Sequence, residues 1–242
     1  MYKESQLRSV AKSVSWRFWA TLTTAAIVYY FTKELALAAA IGGIEIVIKF
    51  VISFIHERAW TKITFGIREV KPAVLWFTGL SGAGKSTLAE EVHRRMAKEG
   101  LRVETLDGDI VRRVFPKTGF SRPERDAHVR RVGFLASLLE KNGVFVLASF
   151  IAPYEESRQF VRSLCSDFIE IHVATPLEEC ERRDVKGLYQ KARQGEIKYF
   201  TGIDDPYEEP VNPELRVDTT NMSIGAAADE VMALLRKRKS GL

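Results

Sequence analysis

Cysteine is nearly missing from this chain. Only Cys165 and Cys180 occur among 242 residues, too few and too far apart for a disulfide framework or a zinc ribbon. They read as buried or idle thiols of a reducing compartment. Internal repeats and low-complexity segments are also absent, which excludes solenoids and disordered tails. A formal net charge of +5 suits a small polyanionic substrate as well as nucleic acid. No basic stripe interleaved with aromatics accompanies it, so nucleic acid is not an expected partner. The length suits one large domain, or a medium domain with a small companion.

Charge is absent from residues 18–32, and residues 35–55 carry only Glu45 and Lys49. The second run has about the twenty residues that a bilayer-spanning helix requires. Only Lys33 and Glu34 separate the two runs, so a tight helical hairpin is expected over residues 1–60. Lys3, Arg8, Lys12 and Arg17 precede it, and Arg58, Lys62, Arg68 and Lys71 follow. By the positive-inside rule both ends lie in the cytoplasm, with Trp16, Trp19, Tyr29, Tyr30 and Trp60 near the interfaces. The expectation is a transmembrane hairpin, in the membrane over about residues 14–55, that keeps the chain at the inner, cytoplasmic membrane with the remainder facing the cytoplasm. A soluble hairpin that dimerises is the rival, because the first run is short. Glu45 and Lys49, spaced to meet on one helix face, read as a self-compensating pair, with an ion pathway as the alternative. The second run follows at once and no cleavage site stands out, which argues against a signal peptide. Lys12-Ser13-Val14-Ser15-Trp16-Arg17, together with His56-Glu57-Arg58-Ala59-Trp60, resembles a small family of two-helix membrane domains without an assigned activity.

Residues 61–72 read as a linker. Beyond it, in residues 73–242, short apolar runs alternate with helical patterns. Strands are expected at residues 73–77, 102–106, 144–149, 168–173 and 215–217. Helices are expected at 85–99, 125–141, 155–164, 177–183 and 224–238. Nearly all-apolar strands alternating with helices predict an α/β fold, a parallel sheet covered by helices on both faces. Right-handed crossovers then gather the strand-end loops along one edge.

Gly79-Leu80-Ser81-Gly82-Ala83-Gly84-Lys85-Ser86-Thr87 lies between the first of these strands and a helix, the context in which G-x-x-x-x-G-K-[ST] forms a phosphate-binding loop. The glycines let backbone N–H groups close around a polyphosphate, and the helix adds its positive end. Lys85 can reach the β- and γ-phosphates, and Ser86 can ligate Mg²⁺. ATP and Mg²⁺ are therefore the expected cofactors.

After the second strand stands Asp107-Gly108-Asp109-Ile110-Val111-Arg112. Two carboxylates at a strand end beside the phosphate loop suit a metal-bound water and an attacking hydroxyl, and Asp109 can also cap a helix. Arg112, one turn later, can clamp an anion bidentately. Phe120 beside Arg125 suits a planar base next to an anionic group. His128 is ambiguous alone, and His93 and His172 receive no role. Residues 184–210, with Lys186, Lys191 and Arg193, read as a lid that closes cations over a transferring phosphoryl group, or as a solvated charge run. The basic end at residues 236–239 reads as a solvated helix terminus.

From about residue 72 to residue 219 these pieces together resemble adenylylsulfate kinase, a P-loop kinase-type enzyme that phosphorylates the 3′-hydroxyl of adenosine 5′-phosphosulfate. The resemblance implies a nucleotide substrate contacted by Asp109, Arg112, Phe120, Arg125, His128, Ile151, Lys186 and Phe200. Phe120 and Phe200 would hold the adenine, and Arg112 and Arg125 the phosphosulfate. It implies Lys85, Asp109 and Asp107 as the catalytic set, Ser86 and Asp107 on the metal, and is compatible with a homodimer. Two positions depart from the family pattern. His128 stands where many members have Asn, and Ala152 where the family usually has Ser. Ala152 cannot accept a phosphoryl group, so transfer is direct. These departures motivate a rival, a kinase acting on a related nucleotide such as a nucleotide phosphoramidate. A second rival is a membrane-tethered nucleotide sensor without transfer activity.

Overall fold

The computed structural model describes residues 2–4, 6–31, 35–63, 67–115 and 119–238. The chain divides into two compact units, residues 2–70 and residues 71–242. In the first unit, β1 (Tyr2–Glu4) precedes two helices, α1 (Gln6–Phe31) and α2 (Leu35–Lys62), and β2 (Ile67–Glu69) closes it. β1 and β2 pair antiparallel, with Lys3 opposite Arg68. The expected turn at Lys33 and Glu34 lies outside the described residues, as do residues 64–66 of the expected linker.

α1 and α2 pack against each other. Trp60 Nε1–H donates to His56 Nε2 at 3.0 Å, which makes that nitrogen an acceptor. The Ser15 hydroxyl, 3.0 Å from the same nitrogen, therefore donates to it as well. The Trp16 ring lies 5.8 Å from the imidazole. Thus the two segments that carry the N-terminal resemblance meet in one polar clasp. Leu7, Val10, Val14 and Phe18 on α1, and Phe50, Phe54 and Ile55 on α2, are exposed. Among the described residues no helix is long and apolar enough to cross a membrane, so the expected crossing by residues 35–55 is not seen there. His56, Glu57, Arg58 and Lys62 make the end of α2 polar, and the side chains of residues 35–47, Glu45 included, lie outside the described set.

The second unit runs β3 (Val74–Thr78), α3 (Lys85–Lys98), β4 (Val103–Asp107), α4 (Gly108–Val114), α5 (Arg122–Lys141), β5 (Phe145–Ser149), α6 (Glu155–Leu164), β6 (Phe168–Val173), α7 (Leu177–Arg183), α8 (Leu188–Arg193), β7 (Leu215–Val217) and α9 (Ile224–Arg238). The strands form one sheet in the order β4-β5-β3-β6-β7, and every pairing is parallel. β3, β5 and β6 are buried along their whole length, as a sheet covered on both faces requires. On one face Val74 and Trp76 pack with Val129, Val132 and Ala136 of α5, and the Trp76 ring stacks on Phe150 at 5.4 Å. Strand alternation turns Leu75 and Phe77 to the other face. There α3 packs against β3 and β5, and α9 packs on α3.

Register places the chemistry. Asp107 and Phe77 both align with Ser149, and Thr78 with His172, so the strand ends that bear polar groups share one edge. The expected strands and helices appear within a few residues of their forecast ends. α8, only 6 residues long, was not anticipated, and α4, expected only as a turn that Asp109 could cap, runs for 7 residues. Far from that edge the basic end is engaged as well as solvated: Arg236 donates to Glu99 at 2.9 Å and Arg238 lies 3.0 Å from Asp167.

Candidate active site

The phosphate loop joins β3 to α3. At Gly79, with φ +152°, an added Cβ would sit 2.4 Å from the Val173 carbonyl oxygen, so no side chain fits without moving β6. Gly82, at φ +75°, has the Cys180 carbonyl oxygen 3.1 Å from the same construction. Side chains brace the loop from outside. Thr175 and Thr219 hydroxyls donate to Ala83 O at 3.1 and 3.0 Å, Arg183 donates to Thr219 O at 2.8 Å, and Tyr189 O–H donates to Ser81 O at 2.9 Å. Lys85 Nζ donates to Leu80 O at 2.7 Å. Burial lowers the Lys85 ammonium to about 8, although Asp107 and Asp109 pull it back upward. At that value the amine is still mostly charged at neutral pH, and an arriving anion would raise it again.

Asp107 ends β4 and accepts from three directions. Ser86 Oγ donates to its Oδ2 at 2.7 Å, Ser149 Oγ to the same oxygen at 3.1 Å, and Asp109 N–H to Oδ1 at 2.9 Å. Burial pushes the Asp107 carboxyl up, but the hydrogen bonds from Ser86, Asp109 N–H and Ser149 outweigh it and hold the group below its ordinary value. Asp107, not Asp109, caps α4: a β-region residue preceding the first turn is the one whose carboxylate reaches the free N–H groups. Carboxylate and hydroxyl oxygens converging at the loop are hard donors that fit Mg²⁺. That ion takes few protein ligands and keeps phosphate and water for the rest, consistent with the absence of a three-residue His/Cys/Asp/Glu cluster among the described residues.

Asp109, freed from capping, lies in the first turn of α4 and pairs with Lys186 at the start of the basic segment. Arg112 places its guanidinium 4.7 Å over the Phe120 ring and donates to Gly119 O at 3.2 Å. Burial, then the neighbouring Arg125, lower its pKa. Arg125 is buried with its donors turned to the far wall: Phe120 O at 2.7 Å, Tyr199 O and Thr201, and Asp205 at 3.4 Å. His128 is buried and neither ring nitrogen has a partner. It lies edge-on to Phe115 and Phe150, and burial, reinforced by Arg112 and Arg131, lowers it to about 4, leaving it neutral at physiological pH. Phe200 is buried edge-on to Tyr189 at 5.0 Å, while Phe120 is exposed. Ile151 O accepts from Thr78 at 2.6 Å. The next residue, Ala152, has φ +42°, a strained value for a side-chain-bearing residue.

One cavity of about 360 Å³ gathers these groups: Ser81, Gly82, Gly84, Lys85, Ser86 and Thr87 on one side, Asp107, Asp109, Arg112, Phe120, Arg125 and His128 on another, with Ile151, Lys186 and Phe200 completing the wall. Of the expected residues, Gly79, Leu80 and Ala83 shape the loop without lining this cavity. Leu80 instead faces a neighbouring cavity beside Gly202. Sequence reading missed Ser149, Tyr189 and the Arg183–Thr219 brace. Ser149 had a usable signal, a polar residue ending an all-apolar strand at the edge where ligands bind. The others come from distant parts of the chain, and nothing local marks them.

Comparison with known proteins gives two matches along the chain. Residues 10–61 match the family described as "Predicted membrane protein". Residues 71–218 match "Adenylylsulphate kinase". An adenylyl-sulfate kinase of Picosynechococcus sp. is 53% identical over 168 residues, covering 69% of this chain and 95% of that protein. The structure of a Mycobacterium tuberculosis APS kinase in complex with AMPPNP and APS is 44% identical with a TM-score of 0.67, covering 69% of this chain and 99% of that one. A hexameric APS kinase from Thiobacillus denitrificans is 39% identical with a TM-score of 0.55, covering 71% of this chain and 30% of that one. On that footing, and with a phosphate loop and an acidic strand end walling one cavity, the chain belongs to the adenylylsulfate kinase family.

Proposed function

We propose that the cavity between the phosphate loop and α4 is where this chain carries out its family's reaction, transfer of the γ-phosphoryl group of ATP to the 3′-hydroxyl of adenosine 5′-phosphosulfate. The products are ADP and 3′-phosphoadenylylsulfate. The observation that carries the site assignment is the shared wall: Lys85 and Ser86 of the loop and Asp109 of α4 line the same cavity.

In this reading the loop's N–H groups and Lys85 hold the β- and γ-phosphates. Ser86 and Asp107 would hold Mg²⁺, which when bound neutralises charge on the transferring phosphoryl group. The acceptor's 3′-oxygen attacks the γ-phosphorus, the bond to the β–γ bridging oxygen breaks, and the hydroxyl proton passes to the Asp109 carboxylate. Lys186, paired with Asp109 before the nucleotide enters, turns to the phosphoryl and sulfate oxygens once the acceptor hydroxyl takes its place. Arg112 and Phe120 take the anionic and planar parts of the acceptor, with His128, Ile151 and Phe200 completing the pocket. At Ala152 no covalent phosphoenzyme can form, so the transfer is direct and in line.

The N-terminal unit serves as a membrane anchor that holds the kinase unit on the cytoplasmic face of the inner membrane. Its polar clasp turned inward and its exposed Leu, Val and Phe residues support this reading, as does the family match. Assembly into an oligomer is in keeping with the hexameric relative. A coupled assay on the full chain and on a version lacking residues 1–61, paired with membrane fractionation, tests both parts. Turnover of adenylylsulfate by both forms, with only the full chain in the membrane fraction, is the expected result. No turnover of adenylylsulfate alongside turnover of a nucleotide phosphoramidate would overturn the substrate assignment.

A further inference from the structure

Asp205, met so far only as a partner of Arg125, joins three segments that wall the cavity. Tyr154 O–H donates to both its carboxylate oxygens, at 3.1 and 3.0 Å, from the loop that follows β5. Arg125 Nη1 lies 3.4 Å from Asp205 Oδ2, and both side chains are largely buried, 7% and 13% exposed. The rest of the Arg125 fork holds Phe120 O, Thr201 and Tyr199 O. Backbone bonds then fold the lid turn around the carboxylate: Asp205 N–H donates to Phe200 O at 3.2 Å, and Gly202 N–H to Asp205 O at 2.8 Å.

Two strained residues lie at the ends of this network, Ala152 at φ +42° and Tyr199 at φ +59°. Such conformations persist only where surrounding contacts over-determine them. A buried guanidinium also needs its counter-ion, because removing one member of a buried pair leaves an uncompensated charge. Arg125 at the same time lines the cavity, so whatever fixes its fork fixes that wall.

We propose that Asp205 is a positioning residue for the acceptor nucleotide: through Arg125 and Tyr154 it locks the turn that carries Phe200 against the Phe120 side of the cavity. Asp205 does not touch the reacting atoms. It sets the separation of the two aromatic residues and keeps the Arg125 fork in one orientation. This inference rests on the acceptor site assigned above.

The test is steady-state kinetics of the full chain and its Asp205→Asn, Tyr154→Phe and Arg125→Lys variants, with thermal melting and limited trypsin digestion of each. For Asp205→Asn the KM for adenylylsulfate is expected to rise roughly 10- to 100-fold, as loss of positioning remote from the chemistry does. The KM for ATP should stay within about twofold, and cleavage at Lys186, Lys191 or Arg193 should accelerate. Tyr154→Phe, which keeps the ring, should shift the same constants in the same direction by a smaller factor. The double variant Arg125→Lys/Asp205→Asn should be no worse than its poorer single, because the pair acts as one unit. A lower melting temperature in Tyr154→Phe and Asp205→Asn with an unchanged KM for adenylylsulfate would reduce the network to packing and overturn the proposal. If Asp205→Asn does not fold, an unchanged KM in Tyr154→Phe overturns it equally. Failure of the unaltered chain to turn over adenylylsulfate would instead sink the acceptor-site reading.

Discussion

The two units of this chain differ in what they leave exposed. In the kinase unit the apolar strands are sealed inside, as in β3, where Val74, Leu75, Trp76 and Phe77 have no exposed surface. Buried charges there are matched, as Arg158 is with Glu170 at 2.9 Å. In the hairpin unit the hydrogen-bonding groups Ser15, His56 and Trp60 turn toward one another, while Phe18, Phe50 and Phe54 are exposed. Burying apolar surface is what stabilises a fold in water, and that force vanishes where the surroundings are themselves apolar. The contrast supports the anchor role proposed above for the N-terminal unit.

The sharpest way to break this contrast is to place one carboxylate in each unit. Leu75→Asp should cost the kinase unit more than about 4 kcal/mol, since it buries an unpaired charge, and calorimetry should find no cooperative melt. Phe54→Asp should leave the kinase melt and turnover unchanged but lower recovery of the chain with lipid vesicles. Equal damage from both would mean that the two units share one kind of core.

Within the kinase unit, the charge at Lys85 is expected to matter next most. Lys85→Ala should lower kcat by about 100-fold or more, as removal of a transition-state charge partner does, with membrane recovery untouched. Near-normal turnover in a coupled assay would detach the loop lysine from the chemistry. Loss of the hairpin clasp is smaller. His56→Ala removes the acceptor shared by Ser15 and Trp60 and should destabilise the hairpin by about 1–2 kcal/mol. It should be seen as a shift in tryptophan fluorescence at constant kinase activity.

A pH dependence is expected in the kinase unit as well. Lys85 loses its proton near pH 8 when folded, against an ordinary value near 10.5. Between those values the unfolded chain binds more protons, so this group makes stability toward unfolding rise with pH across that window. Affinity for ATP should fall over the same window as the amine becomes neutral. Lys85→Met should lose both trends, read by melting and by nucleotide titration, while the hairpin shows neither.

Much of the fold was legible because its signals are local. The apolar run ending at Thr78, the glycines and Lys85-Ser86 announce a strand, a turn and a helix within a dozen residues. α8 was read only as a basic stretch, because six residues carry too little periodicity to separate a helix from a charged loop. The capping of α4 went to Asp107 instead of Asp109, a two-residue difference that depends on backbone angles no spacing encodes. Arg125 was legible as an anion contact, yet its fork is turned to the lid turn, whose residues lie about eighty positions on.

The residue order by itself determined that a polyphosphate loop, an acidic strand end and a basic stretch outside the sheet pattern exist, and that two apolar runs precede them. Each rests on interactions between near neighbours, where composition and spacing suffice. Only the tertiary structure decided which carboxylate is free and which caps a helix, that Ser149 joins Asp107 and Ser86, and that Asp205 meets Arg125 and Tyr154. Those groups are brought together by parallel crossovers and by the turn at residues 199–205. Contacts between residues far apart in the chain are set by the packing of whole elements, and no short stretch of sequence contains them.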